Sequence, residues 1–153
     1  MSKHDKRIVE DGCLRWANEE FGSANLGNKL RTERAVAMAA EALRQPAGFL
    51  TAVYSGAALE GAYRFAQNDK VSVLELCASA GRAAAKRAEG MPYAFAPVDG
   101  SSLNLPQYFG EAEREVGSVG PISKKGTGLL MMNAVAISPL GVPLGLLAQS
   151  WWT

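Results

Sequence analysis

Histidine is nearly missing from this 153-residue chain: there is one, His4, close to the N-terminus. A single histidine excludes a histidine-based catalytic triad and a multi-histidine metal site within the chain. Cysteine is almost as scarce. Cys13 and Cys77 form no CxxC pair and read as buried or free thiols in a reducing cytosol. An excess of charge of one sign is lacking too, since sixteen Lys+Arg against fifteen Asp+Glu leave +1. Net charge therefore does not mark a nucleic-acid binder, and a DNA site has to come from local arrangement. The opening MSKHDKRIVEDG is charged and has no apolar core, so no signal peptide is expected.

Charge is also missing from the tail, where nothing ionisable follows Lys125 up to Thr153. That length raises the question of a membrane span. The tail, however, carries Asn133, Ser138, Pro139, Gly141, Pro143 and Gly145. Ser138-Pro139-Leu140-Gly141 has proline at the second turn position and glycine at the fourth. Two apolar runs of strand length flank it. The turn chemistry favours a buried β-hairpin over a membrane anchor.

What is present suits a folded protein. Apolar residues make up 48% and charged residues 20%, enough for a real core in one domain or two small units. Leu14, Ala17 and Phe21, with Trp16 on the flank, predict a helix over Glu10–Gly22. Asn28 can cap a second helix, Lys29 to about Arg44, with Val36, Ala39, Ala40 and Leu43 on its apolar face. A short helix over Thr51–Tyr54 and a longer one over Ala57–Gln67 follow, the latter with Leu59, Ala62, Tyr63 and Ala66 inside. Ser72-Val73-Leu74-Glu75 is a capping box. It starts a helix that buries Val73, Leu76, Cys77, Ala80 and Ala84 and stops at Gly90 and Pro92. The character then changes. Tyr93–Val98 reads as a short strand ending at Asp99, and Gly100–Gly128 as a long loop with a helical turn near Glu111–Val116. Leu129–Ile137 and Val142–Ser150 are the hairpin strands. Helices followed by three strands predict an α+β fold. Boundaries suggest themselves near Asn68–Val71 and near Gly90; we divide the chain into a helical unit, 1–70, and a second part, 71–153.

Composition and periodicity stop there; particular strings go further. In order these are Trp16, Phe21, Asn25-Leu26-Gly27-Asn28, Arg31 and Arg34, then Glu60-Gly61-Ala62-Tyr63-Arg64-Phe65. Asp99-Gly100-Ser101-Ser102-Leu103 and Pro143-Leu144-Gly145-Leu146-Leu147 follow, with Trp151-Trp152 at the end. Together they resemble the N-terminal part of bacterial cut-and-paste transposases of the DDE type, the Tn-five class, which carry an RNase H-like catalytic core. The resemblance runs from about Leu14 to Trp152.

The resemblance implies a helical domain that binds the terminal inverted repeats of a transposon, with Arg31, Arg34, Glu60, Tyr63 and Arg64 at the DNA-binding positions. Arginines on a helix can grip phosphates or pair bidentately with guanine. On their own, Glu60 and Arg64 four apart are more simply a weak helix salt bridge, and Tyr63 a core aromatic. The resemblance further implies that the first three antiparallel strands of an RNase H-like core follow, and that Asp99 is the first acidic residue of the catalytic, metal-binding triad. Taken alone, Asp-Gly-Ser after a strand is an ordinary turn. Phosphoryl transfer in the complete enzyme uses Mg²⁺ or Mn²⁺ held by several carboxylates.

The sequence departs from the family pattern. It stops before the second catalytic aspartate and the glutamate, and no family motif surrounds Glu111, Glu113 and Glu115. Gly100 and Ser101 stand where the class has threonines, and Met132 and Ala148 where histidines are expected. One carboxylate cannot organise a two-metal site, so no metal is expected to be held stably by this chain and no catalysis by it alone. The partner implied is double-stranded DNA in the bacterial cytoplasm, at the nucleoid, with no small-molecule substrate. A homodimer or association with full-length transposase is expected from an open edge of the first strand, which also implies modest solubility. Two other functions fit the same sequence: a non-catalytic regulator or inhibitor of transposition, and a small C-terminally membrane-anchored protein.

Overall fold

The computed structural model of the chain describes residues 3–46, 53–104, 120–121 and 127–152, with side chains in the first helix from residue 12 onward. The described residues form four helices and then a sheet, an α+β arrangement. The helices are α1 (Lys3–Phe21), α2 (Lys29–Arg44), α3 (Gly56–Ala66) and α4 (Val73–Ala88); the strands are β1 (Val98–Asn104), β2 (Gly120–Pro121), β3 (Thr127–Ile137) and β4 (Pro143–Trp152). The chain divides into two compact units, Met1–Ala83 and Ala84–Thr153. The helical turns expected at Thr51–Tyr54 and Glu111–Val116 fall partly and wholly, respectively, outside the described residues.

In the first unit, α1 and α2 meet through small side chains. Cys13 and Ala17 of α1 pack on Val36 and Ala40 of α2, with Phe21 and Ala39 beside them. Ala17 and Phe21 of the expected stripe of α1 face this core, but its first position is Cys13, which is buried, whereas Leu14 is 49% exposed. Small residues at this packing face let the two backbones approach closely. The helix also begins at Lys3, earlier than Glu10, because nothing in Lys3–Val9 breaks it. Asn28 caps α2 as expected. Its backbone is extended and its Oδ1 accepts from the Leu30 N–H at 2.8 Å, satisfying one of the orphan donors of the first turn.

A second cluster, Ala24, Leu26 and Ala35, gathers Phe65 of α3 and Val71 and Leu76 around it. Leu26 fills its centre. Ser72 caps the start of α4, its Oγ accepting from the Glu75 N–H at 3.2 Å, which is the serine half of the expected capping box. Val73, expected inside, is instead 56% exposed, and the buried stripe of α4 is Ser79, Ala80 and Ala84. Ser79 replaces an aliphatic residue for a reason: its hydroxyl donates to the Glu20 carbonyl at 2.7 Å and accepts from Ser23 Oγ at 2.8 Å. Arg82 adds bonds to Ser23 Oγ (3.2 Å) and to the Ser23 carbonyl (3.0 Å). Ser79→Ala would leave the Glu20 carbonyl without this donor, so a loss of about 1–3 kcal/mol is expected in urea denaturation; a change within error would remove the hydroxyl from the account of how α4 is fixed.

In the second unit β3 is central. β1 and β4 pair with it antiparallel, and the two-residue β2 pairs at its start. The turn at 138–141 closes the hairpin: the Gly141 N–H donates to the Ser138 carbonyl at 2.9 Å and the Ser138 N–H to the Val142 carbonyl at 2.8 Å. Gly141 takes φ +82°, which a side chain would resist. Two register shifts, after Ala134 and after Ala136, bend β3 against β4. Next to them Ala84 of α4 packs on Ala136 and Leu144, and Arg87 donates to the Leu144 carbonyl at 2.8 Å. The uncharged tail is therefore hairpin, and among the described residues no helix is long and apolar enough to cross a membrane.

The first strand differs from its expected place. It covers Val98–Asn104 rather than Tyr93–Val98, where Phe95 makes an isolated bridge to Ile137 and the Pro97 carbonyl accepts from the Val135 N–H at 3.2 Å. Asp99 is accordingly the second residue of β1 and does not follow its end, and the segment expected to be loop from Gly100 begins as strand. Alternation misled because β1 is exposed along its whole length, so polar Ser101, Ser102 and Asn104 sit in a strand that burial does not select.

Candidate nucleic-acid interface

The N-terminal turns of α2 and the C-terminal half of α3 border a shallow cleft of about 240 Å³. Arg31 and Arg34 enter it from α2, three residues apart and hence on one helix face. Arg64 enters from α3. Asn28, Leu30, Gly61, Phe65 and Asn68 complete the lining. Three of the five DNA-binding positions inferred from sequence thus converge on one cleft, inside one compact unit.

Each arginine is held differently. Arg31 donates through Nη1 to the Leu26 carbonyl at 2.8 Å, so the buried Leu26 fixes both the packing below and the guanidinium above. Gly27, with φ +69°, makes the turn that brings that carbonyl round. Arg34 reaches across to α3, its Nη2 3.5 Å from the Ala58 carbonyl oxygen. Arg64 pairs with Glu60 one turn earlier. Both partners are largely solvent-exposed, so the pair adds little to stability and leaves the guanidinium available for exchange. Glu60 is therefore at the rim as Arg64's partner. Tyr63 does not line the cleft and is 42% exposed; it is not the core aromatic that helical periodicity suggests.

Two ionisable groups beyond the cleft lining respond to neighbouring arginines. Bonds from Arg44 and Gln45 hold the Glu41 carboxyl below the usual carboxylate range. Burial, and then the negative charge of Glu41, push the Tyr54 hydroxyl up, while Arg34 and Arg44 act in the other direction.

Sequence reasoning missed Leu30, Gly61, Phe65 and Asn68 as cleft residues. Leu30 had one visible signal, an apolar side chain beside a cap, and it stands 71% exposed. Gly61 had another, a glycine within a helix.

Asp99 lies in the second unit, exposed on β1. In register it faces Asn133, which faces Gln149. Gln149 Nε2 donates to Asn133 Oδ1 at 2.7 Å, and Trp151 Nε1 donates to Gln149 Oε1 at 3.0 Å. The row beside Asp99 is thus built of amides. Among the described residues no three His, Cys, Asp or Glu come together.

Residues 14–71 match the family model described as transposase DNA-binding. The match spans α2, α3 and the whole cleft, as well as part of α1. It supports a transposase-derived N-terminal region whose partner is DNA.

Proposed function

We propose that this chain binds the terminal inverted repeats of a bacterial transposon through the α2–α3 cleft, as the N-terminal part of a DDE-type transposase of the Tn-five class. The observation that carries this reading is the convergence of Arg31, Arg34 and Arg64 on one cleft within the matched residues. The chemistry suits DNA. Guanidinium groups form bidentate bonds with phosphate oxygens or with guanine O6 and N7, and a 16-residue helix such as α2 is of a size that enters the major groove. Glu60 keeps Arg64 folded along α3 until phosphate or a base edge replaces it, and Tyr63, exposed on the same helix, stands beside them.

For the second unit we infer the opening strands of an RNase H-like core, with Asp99 as the first of its acidic residues. Among the described residues β1 pairs only with β3, which leaves an edge for a further strand or for a second copy. A two-metal site for Mg²⁺ or Mn²⁺ needs several carboxylates, and the amide row beside Asp99 does not supply them. The described residues do not fit the metal. A cleft of three arginines in the first unit, with no group of three metal-ligating side chains among the described residues, favours a second reading in which the chain occupies transposon ends as a regulator without cutting them.

The test uses the full chain and a labelled duplex copied from the inverted repeats that flank its coding sequence, against a shuffled duplex of the same composition. Anisotropy titration at physiological salt is expected to show the repeat bound tighter by on the order of 10³. Equal affinity for both duplexes overturns end recognition. Adding Mg²⁺ to the same samples should leave the duplex intact; nicking that disappears in Asp99→Ala would restore catalysis to this chain.

A further inference from the structure

Gly61 lies within α3, where glycine is a poor helix former. Its φ is not among the positive ones, so the backbone itself does not call for glycine. Space does. A Cβ on Gly61 would stand 2.0 Å from Arg34 Nη2 and 3.2 Å from Arg34 Cζ. The guanidinium of Arg34 crosses α3 over bare backbone, with its Nη2 3.5 Å from the Ala58 carbonyl oxygen. Both residues line the cleft together with Arg31 and Arg64.

We propose that Gly61 is a positioning residue for DNA recognition: its missing side chain is the groove that seats Arg34 across α3, in the cleft that Arg31 and Arg64 also line. This rests on the reading of the cleft as the DNA site. With alanine at 61, Arg34 has to swing away, and its long flexible stem lets it do so without disturbing the helices. The positive charge stays nearby while its fixed place is lost. A guanidinium held before binding loses less freedom on forming its bidentate bonds, so its displacement weakens recognition of one sequence more than general attraction to phosphates.

The experiment compares Gly61→Ala, Arg34→Ala and the double variant in the full chain, by anisotropy on the repeat and shuffled duplexes and by thermal melting. Gly61→Ala should melt at the wild-type temperature or a few degrees above it, because alanine is the better helix former. Its affinity for the repeat duplex should fall roughly tenfold, as for Arg34→Ala. The double variant should bind no worse than Arg34→Ala alone, since the glycine acts only through that arginine. Affinity of Gly61→Ala for the shuffled duplex, and its salt dependence, should match wild type because the charge is unchanged. Wild-type binding of the repeat by Gly61→Ala, with Arg34→Ala weakened, overturns the positioning role alone. So do losses that add in the double variant. Undiminished binding by Arg34→Ala overturns it together with the cleft reading.

Discussion

Arg31→Ala combined with Arg64→Ala is expected to remove most of the preference for the repeat duplex while the helices stay folded. Each arginine removed from a base edge costs about 1–3 kcal/mol of discrimination, so the pair should lower affinity for the repeat at least roughly 30-fold. If either arginine grips phosphate instead, the slope of log K against log salt should shrink by about 1 for each phosphate no longer neutralised. The two patterns separate by experiment: removing a base-reading arginine lowers the ratio between repeat and shuffled duplex, and removing a phosphate-binding one lowers both affinities together. Unfolding would not account for the loss. Arg64 and Glu60 have side chains 76% and 62% exposed, where an ion pair contributes little. Arg31 gives up one hydrogen bond to the Leu26 carbonyl, about 1 kcal/mol. A helical circular dichroism signal equal to wild type is therefore expected, and unchanged binding by the double variant would sink the site assignment.

Local rules made much of this visible in the sequence. Asn28 fixed the start of α2 because an extended Asx residue before an apolar-periodic run offers its oxygen to an orphan N–H. The Ser72 cap and the Ser138–Gly141 turn act in the same way, through neighbours within four residues. The hairpin therefore emerged from an uncharged tail that hydropathy alone would give to a membrane. What stayed hidden depends on partners distant in the chain. Ser79 is buried because Glu20 and Ser23, over fifty residues earlier, bond its hydroxyl, and no period reveals that. The stripe of α1 passes through Cys13 rather than Leu14 because α2 offers alanine and valine there. β1 was misplaced because exposure removed the alternation that marks a strand. For the cleft, Arg31, Arg34, Glu60, Tyr63 and Arg64 came from resemblance to a family. Only the fold separates the three arginines that line it from Glu60 at the rim and from Tyr63, and only the fold gives Gly61 a purpose.

The largest stability effect is expected from Leu26→Ala. Leu26 is 2% exposed and, among the described residues, is the largest apolar side chain so deeply buried. Its neighbours in the core are Ala24 and Ala35, with Phe65, Val71 and Leu76 packed from outside. Alanine neighbours have no rotamers with which to fill a void, and the three larger ones belong to different segments, so the cavity should persist rather than collapse. A buried Leu→Ala change costs about 2–5 kcal/mol, more where relaxation is poor, against a total of roughly 5–15 kcal/mol for a domain. The midpoint of urea denaturation, followed by the helical signal, should fall accordingly, and Leu26→Met should keep most of the stability because it conserves volume. The effect reaches the cleft as well. The carbonyl of Leu26 holds Arg31, and the side chain below fixes that carbonyl between α2 and α3. Leu26→Ala should therefore weaken repeat binding even at temperatures where the chain remains folded, whereas Leu26→Met should not. A loss below about 1 kcal/mol would show that the core centred on Leu26 does not set the spacing of the two helices that present the arginines.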